Sequence, residues 1–79
     1  MAHDEKLGTV LDEFGKLGHD EPVFVIRAKD KSAPAAIRAY ANVAREAGAD
    51  DSHVRAARAV AAGFEEWQHR NPALVKCPD

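Results

Sequence analysis

Cysteine is nearly absent. Cys77 stands alone, so no internal disulfide can close, and a reducing compartment is expected. Long apolar runs are missing as well. No stretch approaches the ~20 residues of a membrane span, and no signal-type apolar segment follows Met1. The expectation is a soluble, cytoplasmic protein. Metal-ligand spacing is also lacking. The candidate ligands are His3, His19, His53, His69 and Cys77, and no pair has the roughly two- to four-residue separation of structural zinc sites. No His-x-x-x-His occurs. Gly15-Lys16-Leu17-Gly18 is too short for a phosphate loop and lacks the following Ser/Thr. Ser32 and Ser52 stand at expected helix starts, where capping explains them. Cys77 has no histidine near it in sequence, and Asp50-Asp51 and Glu65-Glu66 have helix-surface explanations. No motif names a function. The expectation is no catalytic residue, no metal and no cofactor, hence no enzyme.

What remains is a chain of 79 residues with 46% apolar content, which suits one small globular domain spanning 1–79. Such a domain buries only about 60–65% of its unfolded surface and is marginal alone. Its organising stretch is Ser32 to Asn71, which reads as two alanine-rich helices. Ser32-Ala33-Pro34 starts the first, with Ser32 as cap and proline tolerated in the first turn. Ile37, Tyr40, Ala41, Ala44 and Ala47 follow at helical spacing. Gly48 stops it. Asp50, Asp51 and Ser52 open the second, where carboxylates meet exposed N–H groups. Val54, Ala57, Val60, Ala61, Phe64 and Trp67 form its stripe, and His69, Arg70, Asn71 and Pro72 end it. A turn this short makes the helices antiparallel neighbours.

Leu7, Val10, Leu11, Phe14 and Leu17 lie on one helical face, so a helix is expected over residues 4–17, against the cost of Gly8 and Gly15. Val23-Phe24-Val25-Ile26 reads as a short buried strand. It needs hydrogen-bond partners: the run Ala73–Lys76, or the same strand of a second copy. Failing both, it is merely extended against the hairpin. The tail from Pro72 to Asp79 is expected to be extended, with Leu74 and Val75 docked on the core. Phe64 and Trp67 are expected to bury against Ile37, Tyr40 and the Leu7–Leu17 face. The fold class is therefore mostly α, a small α+β protein: an N-terminal helix, one strand, an antiparallel αα-hairpin and an extended C-terminal tail.

The formal net charge of −2 conceals an asymmetry. Residues 1–21 set Asp4, Glu5, Asp12, Glu13, Asp20 and Glu21 against Lys6 and Lys16, a balance of −4. Residues 22–45 set Arg27, Lys29, Lys31, Arg38 and Arg45 against Asp30, a balance of +4. Mutual neutralisation by the acidic arm is the plain explanation. Within the helices, Arg55 has Asp51 and Arg70 has Glu66 four positions earlier. Arg38, Arg45 and Arg58 have no acidic residue three or four positions away. Arg27, Lys29, Lys31, Arg38, Arg45 and Arg58 are therefore the candidate partner-binding residues, a basic face for an acidic patch or a nucleic-acid backbone.

The string Pro22-Val23-Phe24-Val25-Ile26-Arg27-Ala28-Lys29-Asp30-Lys31, followed by Ala33-Pro34, Ile37-Arg38 and Tyr40-Ala41, resembles small proteins of phages, prophages and bacterial genomes. The resemblance covers roughly residues 20–68 and carries no chemistry residue by residue. Proteins of this type are often stoichiometric binders, anti-CRISPR inhibitors among them. The resemblance implies a non-catalytic protein that binds and inhibits a host protein or ribonucleoprotein complex, such as a CRISPR effector. Two alternatives stay open: a nucleic-acid-binding accessory protein, and a structural or assembly protein acting as an oligomer, for instance a homodimer. No membrane partner is expected.

Overall fold

Residue Asp30 sets the entry to the hairpin. In the computed structural model, which describes residues 2–4, 8–10, 18 and 21–77, the Asp30 carboxylate accepts from the Ser32 N–H at 2.8 Å and from the Ser32 hydroxyl at 2.7 Å. The Ala33 N–H donates to the Asp30 carbonyl at 3.0 Å. This local knot turns the chain into α1, Ala33–Glu46. Ser32 does not cap with its side chain, contrary to the sequence expectation. Its backbone is already helical, at φ −86 and ψ −6, whereas capping needs an extended backbone to aim the hydroxyl at the free amides. Pro34 occupies the first turn without penalty.

The turn between the helices follows from one glycine. Ala49 N–H donates to the Ala44 carbonyl at 3.0 Å and Gly48 N–H to the Arg45 carbonyl at 3.1 Å. This 6→1 and 5→2 pair is a Schellman closure, and it requires positive φ at Gly48, which has φ 95. Asp50, extended at φ −58 and ψ 144, then admits α2, Asp51–Arg70. Asp51 holds Arg55 at 3.4 Å, as its spacing implies. Among the described residues Arg70 makes no such bond to Glu66; both are exposed, and solvation competes with so weak a pair. Asn71 ends α2 with its amide Nδ2 on the Trp67 carbonyl at 2.9 Å.

Over its described residues the molecule is mostly helical: two helices packed on each other, with short strands before them. The seam is built from small residues. Ala33, Ala41 and Ala61 are wholly buried, and Val54 nearly so. Ile37, Ala44, Ala57, Phe64 and Trp67 are half-buried around them. Alanines let the backbones approach, and a close approach narrows the seam. Tyr40, Ala47 and Val60, expected in the stripe, consequently fall outside it. Tyr40 instead bonds through its hydroxyl to His53 Nε2 at 2.8 Å, ring edge to ring face.

Ahead of the hairpin, β1 (Ala2–Asp4), β2 (Gly8–Val10) and β3 (Pro22–Val23) form a sheet in the order β2-β1-β3. β1 runs antiparallel to β2 and parallel to β3, with Asp4 opposite Val23. Of the helix expected over 4–17, the described residues Asp4 and Gly8–Val10 lie in these strands. Its residues 5–7 and 11–17, with the Leu7–Leu17 face, lie outside the described residues. β3 stops at Val23, short of the expected Ile26, and within the chain it pairs with β1 rather than with the run Ala73–Lys76. Phe24 is 84% exposed, not buried, because among the described residues neither helix reaches the sheet.

Beyond α2 the tail opens with one 3-10 turn, Pro72–Leu74, rather than in extended form. Proline is admissible in a first turn, and Leu74 N–H closes it on the Asn71 carbonyl at 3.0 Å. From Val75, at φ −80 and ψ 130, the chain is extended. It pairs in parallel at Asp30 and Lys76, not with the strand run.

Candidate binding groove

The connector between β3 and α1 is held by two other elements. Gln68 of α2 donates from Nε2 to the Ala28 carbonyl at 2.9 Å and to the Asp30 carbonyl at 2.8 Å. On the other side, Lys31 N–H donates to the Lys76 carbonyl at 2.9 Å, and Lys76 N–H to the Lys29 carbonyl at 3.0 Å. A polar side chain inside α2 would otherwise sit poorly beside a seam of alanines. Gln68 is half-buried; it satisfies the Ala28 carbonyl and adds a second donor to the Asp30 carbonyl, which also accepts the Ala33 N–H.

This frame leaves a groove of about 550 Å³ between the connector, the end of α2 and the tail. Arg27, Lys29 and Lys76 line it, and among the described residues no carboxylate does. Among the described residues none of the three side-chain cations has a hydrogen-bond or ion-pair partner. Trp67 and Leu74 supply its apolar wall, with Ala28 and Ala73 beside them. Trp67 is half-buried, and its indole N–H bonds to nothing among the described residues. Leu74 is 55% exposed. Among the described residues the groove thus offers donors and apolar carbon, and no acidic acceptor. Bringing three like charges together without counter-charge is unfavourable, and an anionic group relieves it.

The six basic residues singled out from sequence do not form one face. Arg27 and Lys29 share the groove. Lys31 lies in a neighbouring depression with Glu65, His69 and Val75. Arg38 is not unpaired: its Nη2 meets Glu65 Oε1 at 2.8 Å across the hairpin. Arg58 donates from Nη2 to Asn42 Oδ1 at 3.1 Å, also across the hairpin. Inspection three or four positions along each helix could not see partners 27 and 16 residues distant. Arg45 is exposed at the far end of α1, and no described residue partners it.

Two groove residues escaped the sequence reading. Lys76 was visible only as part of an apolar run, although the expected docking of Leu74 and Val75 would have carried it to the core. Trp67 counted as core because its spacing matched the stripe. Elsewhere, His53 is exposed and engaged by Tyr40, and Cys77 is an exposed free thiol. Among the described residues no three His, Cys, Asp or Glu side chains gather as a metal site, and no helix is long and apolar enough to cross a membrane. No protein family, curated protein or solved structure matches the chain.

Proposed function

We propose that this chain is a small non-catalytic binding protein that recognises an acidic partner through the basic groove around its connector and tail. One observation carries the reading. Arg27 and Lys29 of the connector and Lys76 of the tail converge on one groove and have no acidic partner among the described residues. The narrower form, inhibition of a host complex such as a CRISPR effector, rests on the resemblance at residues 22–41. Direct nucleic-acid binding is the less favoured reading, because the chain is net acidic at −2 and such binders depend on a strong positive footprint.

The test is the charge-reversed double variant Lys29→Glu/Lys76→Glu, used beside the parent chain as bait in a bacterial host lysate. The parent retains a stoichiometric partner and the variant loses it, with both melting at the same temperature. Equal capture by the two proteins, each folded, removes the groove from the binding surface.

A further inference from the structure

The groove has a wall as well as a rim, and the wall has its own specificity. Trp67 and Leu74, with Ala28 and Ala73, present apolar surface at a site whose polar side chains among the described residues are all cationic. Leu74 stays 55% exposed there, on a tail held by the two backbone bonds through Lys76. A purely ionic contact has no use for such a wall. A wall of aliphatic and indole carbon with basic groups around it has the layout of a protein-recognition centre, in which an apolar core sits inside a polar rim and Trp and Arg dominate the energy. The cavity, about 550 Å³, falls within the range of roughly 300–1,000 Å³ typical of ligand pockets.

Resting on the reading above, we infer that the groove accepts an extended peptide segment of a partner protein in which an apolar side chain is flanked by carboxylates. The apolar side chain packs between Trp67 and Leu74. The flanking carboxylates meet Arg27, Lys29 and Lys76, and the free indole N–H is available to a backbone carbonyl. The frame is already closed by the Gln68 and Lys76 hydrogen bonds, so little ordering is left to be done on binding. A nucleic-acid strand fits less well. It requires a succession of aromatic platforms along a basic track, and this groove has a single indole with aliphatic neighbours.

The chain has one tryptophan, so its fluorescence reports on the groove alone. Three probes are titrated into the intact protein to about 1 mM, the weak end of useful affinity: a hexapeptide alternating glutamate and leucine, a hexaglutamate, and a short oligothymidylate. The expected result is a saturable emission change with the alternating peptide, at an affinity about tenfold or more above that of hexaglutamate. Lys29→Glu abolishes it, and Leu74→Ser, an exposed substitution that keeps Trp67 as reporter, reduces it to the hexaglutamate level. Equal binding of the two peptides, or an unaffected Leu74→Ser variant, overturns the apolar pocket while leaving the acidic-partner reading intact. Silence toward both peptides overturns the two together. Tightest binding of the oligothymidylate overturns the peptide assignment in favour of nucleic acid.

Discussion

Arg38 and Glu65 meet at 2.8 Å although 27 positions separate them. They stitch the flank of the hairpin at mid-height. Their side chains are 43% and 53% exposed, so water and salt screen the pair and its contribution is small. A double-mutant cycle on Arg38→Ala and Glu65→Ala, read by urea unfolding, gives a coupling below about 1 kcal/mol. A coupling several times larger would mean the pair is far better shielded than its exposure indicates.

Gln68 works where solvent is scarcer. Its single amide nitrogen serves the Ala28 and Asp30 carbonyls at 2.9 and 2.8 Å. Gln68→Leu keeps the volume and removes the donor, leaving the partly buried Ala28 carbonyl unsatisfied while the Asp30 carbonyl keeps the Ala33 N–H. The cost is about 1–3 kcal/mol. The loss is local as well as global, because the connector and tail share this anchor. Hydrogen exchange at the Lys31 and Lys76 amides, which bond across that junction, accelerates more than exchange inside α2. Unchanged protection at both amides would show that the tail holds the connector without Gln68.

The same substitution has opposite signs at two glycines. Gly48 has φ 95, and nothing lies within 4 Å of a Cβ built there. Gly48→Ala is thus opposed by conformation alone, at about 1 kcal/mol or more. Gly63 lies inside α2 and also has open space around it. Gly63→Ala removes unfolded-state freedom and stabilises by about 0.5–1 kcal/mol. Thermal melts of the two variants move in opposite directions.

The hairpin was legible in the sequence because its signals are local. Pro34, Gly48, Asp50 and Asn71 each act within one turn of chain, and their order alone gives two antiparallel helices. What failed depended on distance. The partners of Arg38 and Arg58 lie on the opposite helix. Tyr40 has helical spacing suited to the stripe, yet an alanine seam is too narrow to admit it, and it turns to His53. Ser32 is a good cap by residue type, but Asp30, two positions earlier, captures its hydroxyl. The groove was half legible. Arg27 and Lys29 were marked by charge, whereas Lys76 and Trp67 join them only through the folding-back of the tail.

Arg45 separates a groove from a general basic face. The sequence groups it with Lys29 among the candidate partner-binding residues. The fold parts them: Arg45 lies 12 residues into α1 from Ala33, about 18 Å along the axis, and the groove sits before the helix begins. At physiological salt the screening length is about 8 Å, so a charge at Arg45 is weakly felt in the groove. Arg45→Glu therefore leaves partner capture within about twofold of the parent at that salt, whereas Lys29→Glu weakens it about tenfold or more. Near 0.01 M salt the screening length grows to about 30 Å, and Arg45→Glu begins to slow association because the whole field then steers the encounter. Both variants keep the parent melting temperature within a few degrees, since each replaces a side chain without a partner among the described residues. The measurement is capture and association rate at the two salt concentrations. Loss of capture in Arg45→Glu at physiological salt would extend the binding surface along α1 and away from Trp67.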